Sequence, residues 1–193
     1  MKRIIRKITE QDWQEVITNF YDQQSKLAQV QSLVGKKIVL EELVKNKKID
    51  SIITTELGKP YLKHHSFEFS ISHKENWVAI AISNKKVGID IETIRPISLN
   101  VKTQFATEQE QCWIGDSTLR LLTLFTLKEA YLKMLGSTVF HAKEIEFQFQ
   151  DTAIYSSYPV SFELIQTKEY ICACCEKKRP DPTLPIPIQK PED

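Results

Sequence analysis

Neither sign of charge dominates this chain: 26 Lys and Arg stand against 25 Asp and Glu, a formal net charge of +1. That balance excludes bulk electrostatic binding of nucleic acid, so any phosphate recognition has to come from locally placed cations. Long apolar runs are missing too. The longest, 77–82, is far below the roughly 20 residues of a membrane helix, and residues 1–8 lack the apolar stretch and cleavage site of a secretory signal. The expected compartment is the cytoplasm. The chain has no glycine-rich dinucleotide loop and no Walker lysine loop. Its four cysteines fit a reducing compartment. Cys112 stands alone, while Cys172, Cys174 and Cys175 crowd one short segment. A zinc site wants a second Cys or His pair at suitable spacing, which is absent, so residues 170–175 read as a buried strand of small apolar side chains.

What is present is a globular composition, 41% hydrophobic over 193 residues, enough for one domain or two small packed halves. Trp13, Val16, Ile17 and Phe20 recur at helical spacing, and a longer helical pattern runs from Lys26 to Lys45, with Gly35 as a break or a close-packing point. A loop carries Ile52 and Ile53. Gly58 and Pro60 then make a turn that fixes Lys59. Residues 67–73, 77–83 and 87–92 read as three strands in tandem, which predicts an antiparallel sheet. Thr107 and Glu110 form a capping-box signature. Asp116 or Ser117 caps the next helix, which stops at Gly136. Further strands are expected at 145–149, 161–165 and 170–175, and a flexible proline-rich tail from 177. The order is α+β: a first half over 1–87, a second over 88–176, and the tail 177–193.

The two halves meet at Gly88-Ile89-Asp90-Ile91-Glu92. In a strand, Asp90 and Glu92 share one face while Ile89 and Ile91 take the other. Downstream, Phe125, Glu129 and Lys133 lie on one helical stripe. If strand and helix meet, three carboxylates and a lysine converge, a set suited to a hard divalent cation and a phosphate ester. Singly, an Asp-x-Glu pair is usually a solvated face, and Glu129 with Lys133 an ordinary i,i+4 pair. The helix around them, however, carries Leu121, Leu122, Leu124, Leu127, Leu132 and Met134. That marks it as largely buried, where charges need partners. Ser72-His73 closes the strand that comes two before the acidic one.

These residues, in this order, closely resemble the 4'-phosphopantetheinyl transferases of the larger, surfactin-synthetase (Sfp) type. The motifs are Gly88-Ile-Asp90-Ile-Glu92, Phe125-x-x-Lys128-Glu129-x-x-x-Lys133, Gly58-Lys59-Pro60-Tyr61 and Phe69-Ser-Ile-Ser72-His73. The likeness runs from about residue 32 to about 174. The half from Gly88 is also similar to the small, trimeric holo-acyl-carrier-protein synthases. The resemblance implies a monomeric pseudo-dimer of two similar halves with the active site in the cleft between them. The implied reaction moves phosphopantetheine from coenzyme A to a serine of an apo acyl or peptidyl carrier protein of fatty-acid, polyketide or peptide synthesis. Adenosine 3',5'-bisphosphate leaves, and the reaction depends on Mg²⁺, with Mn²⁺ as an alternative.

By the same resemblance Asp90, Glu92 and Glu129 hold the metal, and Glu129 is the candidate general base. Lys133 contacts the pyrophosphate. Lys59, Pro60, Ser72, His73 and Ser32 serve coenzyme A. Lys128, about 100° round the helix from Glu129, is either a further coenzyme A contact or a structural ion-pair partner. The chain departs from the pattern in three places. Gln31-Ser32 stands where an Arg-Thr pair is usual, leaving Lys26, Lys36 or Lys37 as substitutes; Phe125 stands where tryptophan is common; and the segment before the long helix is short, leaving the family's first strand without a clear counterpart. A metal-dependent phosphohydrolase and an inactive carrier-binding homologue are the competing readings.

Overall fold

The segment for which patterning offered no strand begins with one. A computed structural model describes residues 1–20, 27–43, 52–56, 59–62, 67–137, 139–151, 153–177 and 184–189. In it, β1 (Lys2–Lys7) pairs antiparallel with β5 (Trp77–Ser83), whose other edge carries β4 (Glu68–Lys74). Lys2, Arg3, Arg6 and Lys7 hide the strand by breaking its apolar alternation. Arg3 and Lys7 meet acids of the second half, Glu163 and Glu169. The helices α1 (Glu10–Phe20) and α2 (Leu27–Leu43) lie against this sheet, burying Val16, Val34 and Ile38 with Phe69, Val78 and Ile80. Gly35 is a close-packing point: a Cβ there would come within 2.5 Å of Ile71 Cγ2. The Ile52 and Ile53 segment is a strand rather than a loop. There β2 (Ile52–Thr54) forms an antiparallel pair with β3 (Pro60–Leu62). Leu57 and Gly58 lie outside the described residues.

The expected three-strand sheet is half right. β4 and β5 pair as predicted, but β6 (Val87–Thr93) leaves them and joins a second sheet, ordered β11 (Ile188–Gln189), β9 (Ser161–Gln166), β10 (Tyr170–Glu176), β6. Its backbone partner there is β10, with β9 beyond. The reason is the faces. Ile89 and Ile91 pack with Cys172 and Cys174 against Ala79 and Ala81, so the two sheets stack on a small-residue core. The cysteines are free and buried, and burial pushes the Cys174 thiol up to about 12. A buried strand of small apolar side chains is what the sequence suggested.

The short helices α3 (Lys102–Phe105) and α4 (Glu108–Ile114) precede α5 (Thr118–Leu135), which packs against β6 and β10. The capping box of Thr107 and Glu110 is present, Ser117 rather than Asp116 caps α5, and Gly136 ends it with φ 73°. Residues 145–147 are not strand; Ile145 and Phe147 are core side chains, and the strand pair is β7 (Gln148–Gln150) with β8 (Ala153–Tyr155). Residues 184–189 of the proline-rich tail depart from expectation. Ile186 is buried in the second half's core and its N–H donates to Ile154 O, while β11 (Ile188–Gln189) runs parallel to β9. An edge position tolerates the neighbouring prolines, and one buried isoleucine anchors the segment. Residues 178–183 and 190–193 fall outside the described set. No described helix is long and apolar enough to cross a membrane.

Candidate active site

Gly88 sets the site's geometry. A Cβ built there would stand 1.9 Å from Ala130 O and 2.6 Å from Met134 N, so α5 lies directly on the β6 backbone. Gly88, Asp90 and Glu92 share the face opposite Ile89 and Ile91, and the close approach lets the helix reach that face. Lys133 Nζ comes 2.7 Å from Asp90 Oδ1 and 2.9 Å from Ser72 Oγ. Ser72 donates to the same Asp90 oxygen at 2.8 Å and accepts from Ile91 N–H at 3.3 Å. The first half supplies this serine from β4, whose alternation sends Ser70, Ser72 and Lys74 toward β6 and keeps Phe69 and Ile71 on the α2 side.

Glu92, 8% exposed, is met by Lys74 Nζ at 3.0 and 3.2 Å and by Arg95 at 3.6 Å. Burial raises the Glu92 carboxyl above its ordinary value, and Lys74 opposes the shift. Half-buried Glu129 is raised the same way, first by burial and then by Asp90, with Lys133 opposing and Glu92 adding to the rise. Asp90 thus acts on both Glu92 and Glu129, and Glu92 on Glu129. His73 is lowered by burial and by the field of Lys133, which favours its neutral ring. Beside Glu92 opens a cavity of about 630 Å³, lined by Lys74 and Arg95 at one side and by Ile97, Phe105, Leu122 and Phe125 on the apolar side.

Residues 86–178 match the 4'-phosphopantetheinyl transferase superfamily. Over 160 residues the chain is 32% identical to 4'-phosphopantetheinyl transferase gsp of Aneurinibacillus migulanus, covering 75% of this chain and 67% of that protein. The chain belongs to the 4'-phosphopantetheinyl transferase superfamily. It is also 29% identical over 115 residues to 4'-phosphopantetheinyl transferase Sfp of Bacillus subtilis, covering 54% of this chain and 51% of that protein. With a putative 4'-phosphopantetheinyl transferase of Haemophilus influenzae it shares 28% over 153 residues, covering 74% and 61%. The chain thus spans about two thirds of the first relative's length and less of the others.

Within this superfamily member the structure brings together Ser72, His73, Asp90, Glu92, Glu129 and Lys133. Lys59 and Pro60 sit elsewhere, at the start of β3. The Lys59 ammonium bonds Met134 O at 3.3 Å and lies 3.5 Å from Glu68, beyond the C-terminal end of the Lys133 turn. Glu68 is four residues before Ser72 on β4, roughly 13 Å along the strand. Lys59 therefore bridges the halves at the far end of α5 rather than joining His73. Gln31 is 5% exposed, and its amide donates to Glu75 O in the turn after Lys74. The side chain that replaces the usual arginine thus holds the turn behind His73, with Ser32 next to it on α2.

Lys128 corrects the assignment to coenzyme A. Its side chain is 1% exposed, and the ammonium bonds Glu110 at 2.5 Å and the carbonyls of Phe105 and Ala142 at 3.0 Å. Glu110 also accepts from Thr107 and Phe147 N–H. Of the two roles left open for Lys128, the structure shows the ion pair, which pins α3, α4 and the 139–144 turn to α5. Sequence reasoning missed Lys74 and Arg95. The signal for Lys74 was its place two residues after Ser72, on the same strand face.

Among the described residues, no three His, Cys, Asp or Glu side chains are grouped in metal-holding geometry; lysines neutralise Asp90 and Glu92 instead. The donors still fit a hard cation. Asp90 Oδ2 is buried and accepts no hydrogen bond, and Glu92 Oε2 lacks a directional one despite Lys74 nearby. A buried carboxylate oxygen without a donor is costly unless a cation completes it.

Proposed function

We propose that this chain transfers the 4'-phosphopantetheine arm of coenzyme A to a serine of an apo acyl or peptidyl carrier protein. The observation that carries the reading is the convergence of Asp90, Glu92, Glu129 and Lys133 on one face of the Gly88 strand, in a member of this superfamily. The site is read as the cleft of a pseudo-dimer, with the boundary near Gly88. The carrier's serine Oγ forms a bond to the β-phosphorus of coenzyme A, the bond from that phosphorus to the adenosine 3',5'-bisphosphate oxygen breaks, and the serine proton passes to the Glu129 carboxylate. Burial raises the Glu129 carboxyl, which makes its carboxylate a stronger base toward that proton. Mg²⁺ held by Asp90, Glu92 and Glu129 would neutralise charge developing on the pyrophosphate. Lys133 orients the phosphate from the edge of the site, and Ser72 holds both Lys133 and Asp90 in place. His73 and Ser32 face the nucleotide end. The apolar cavity beside Glu92 suits the pantetheine arm and the carrier surface that presents the serine.

The test is incubation with coenzyme A, Mg²⁺ and a panel of apo carrier proteins, followed by the intact mass of each carrier. A gain of one phosphopantetheine on at least one carrier, lost in Glu129→Gln, is expected. Unmodified carriers across the panel would overturn the reading.

A further inference from the structure

Lys74 lies outside every motif that points to the superfamily, yet the fold builds it into the site. Ser70, Ser72 and Lys74 alternate along one face of β4 and engage β6 in step. Ser70 Oγ accepts from Ile89 N–H at 3.1 Å, Ser72 Oγ accepts from Ile91 N–H at 3.3 Å, and Lys74 Nζ meets both oxygens of Glu92. The first two rungs fix the register between the strands, so the third is imposed by that register and is no chance meeting of surface side chains. The two partners differ in freedom. The Glu92 side chain is 11% exposed, and that of Lys74 is 30% exposed on a flexible stem. Arg95, at 3.6 Å, is a second and looser cation on the same carboxylate.

We infer that Lys74 is a resident counter-ion for Glu92 that competes with a divalent cation for this carboxylate, holding the chain's metal affinity below what its three acids alone would give. The inference rests on the metal-dependent reading above. A buried carboxylate needs a positive partner. In the free protein Lys74 supplies it. A doubly charged ion arriving at Glu92 repels the ammonium, which has an exposed path to water and leaves at the cost of the pairing. Lys133 is the counterpart on Asp90, but Ser72 ties it in place, so Lys74 is the more readily displaced of the two.

The probe is Mn²⁺ alone, titrated into the full chain without coenzyme A at mildly alkaline pH, with free Mn²⁺ read by electron paramagnetic resonance. Lys74→Met is expected to bind Mn²⁺ about 2–5-fold tighter than the parent chain, the upper part of the range set by partly exposed ion pairs. Lys74→Arg, which keeps the charge, should stay within about twofold of the parent. In a Glu92→Gln background the Lys74→Met gain should vanish, an interaction that a purely structural salt bridge would not produce. Lys74→Ser carries the same test if the methionine variant melts early. Mn²⁺ bound equally or more weakly by the Lys74 variants would overturn the counter-ion role while leaving the metal reading intact. No Mn²⁺ binding by any of the proteins would overturn both.

Discussion

Lys133 on α5 and Asp90 on β6 are joined at 2.7 Å, and the same ammonium bonds Ser72 from the first half. One side chain therefore organises groups from three elements. Lys133→Met leaves Asp90, 7% exposed at its side chain, short of its cation. Transfer is expected to fall about 10²-fold or more, as for removal of one preorganised donor, with a stability loss of about 1–3 kcal/mol. Carrier mass spectrometry and urea denaturation check the two; full transfer would remove Lys133 from the site.

Gly88 is a second point of dependence. Its missing Cβ would fall on backbone atoms of Ala130 and Met134, which cannot swing aside as a side chain would. Gly88→Ala is expected to cost at least ~3 kcal/mol, because α5 has to lift from β6. Thermal melting measures it. A variant as stable as the parent would mean that the helix does not sit on this strand.

Lys128 should behave differently from its neighbour Glu129. Removing its charge leaves Glu110, 0% exposed, without a cation. Lys128→Met is therefore expected to destabilise the fold by about 3–5 kcal/mol. Transfer per folded molecule, measured well below the melting point, should change little, whereas Glu129→Gln should abolish transfer and leave the fold intact. Loss of turnover in a fully stable Lys128→Met protein would return Lys128 to the site.

Burial raises the carboxyls of Glu129 and Glu92 above 4.5 and lowers His73 below 6.5. On folding, the two glutamates take up protons. Their contribution is full below pH 4.5 and is lost as the pH climbs through the raised values. His73 runs the other way: its contribution holds above pH 6.5 and is lost as the pH falls through the lowered value. Glu129→Gln, which removes a buried charge, should stabilise the chain at neutral pH, with the gain falling away as the pH drops through the raised value and gone below pH 4.5. Denaturation at the two pH values measures the difference, and a gain independent of pH would contradict the assignment.

The acidic strand and the buried helix were legible in the sequence because periods of 2 and 3.6 are local. Ile89 and Ile91 against Asp90 and Glu92, and the ring of leucines round Glu129, need no knowledge of the partner. Their meeting through Gly88 was not legible, since a glycine does not say what lies on it. β1 was hidden because two of its cations answer acids more than 150 positions away, Arg3 with Glu163 and Lys7 with Glu169. The departure of β6 from its sequence neighbours was hidden because serine hydroxyls of β4 take two of its amides. Lys128 looked like a site residue because spacing cannot reveal that Glu110 lies beside it, and the tail looked free because prolines mask one anchoring isoleucine.

The seam between β4 and β6 is made of side chains, two serine hydroxyls and the Lys74–Glu92 pair, rather than a backbone ladder, and Ser72 belongs both to the seam and to Asp90. Closeness of the halves and occupancy of the site are thus thermodynamically linked: whatever ligand redistributes charge on Asp90 also changes the grip of one half on the other, and whatever loosens that grip changes the ligand's affinity by the same factor. The amides of Ile89 and Ile91, each held by a single serine, are where that reciprocity can be read, as slowed hydrogen exchange when the site is filled.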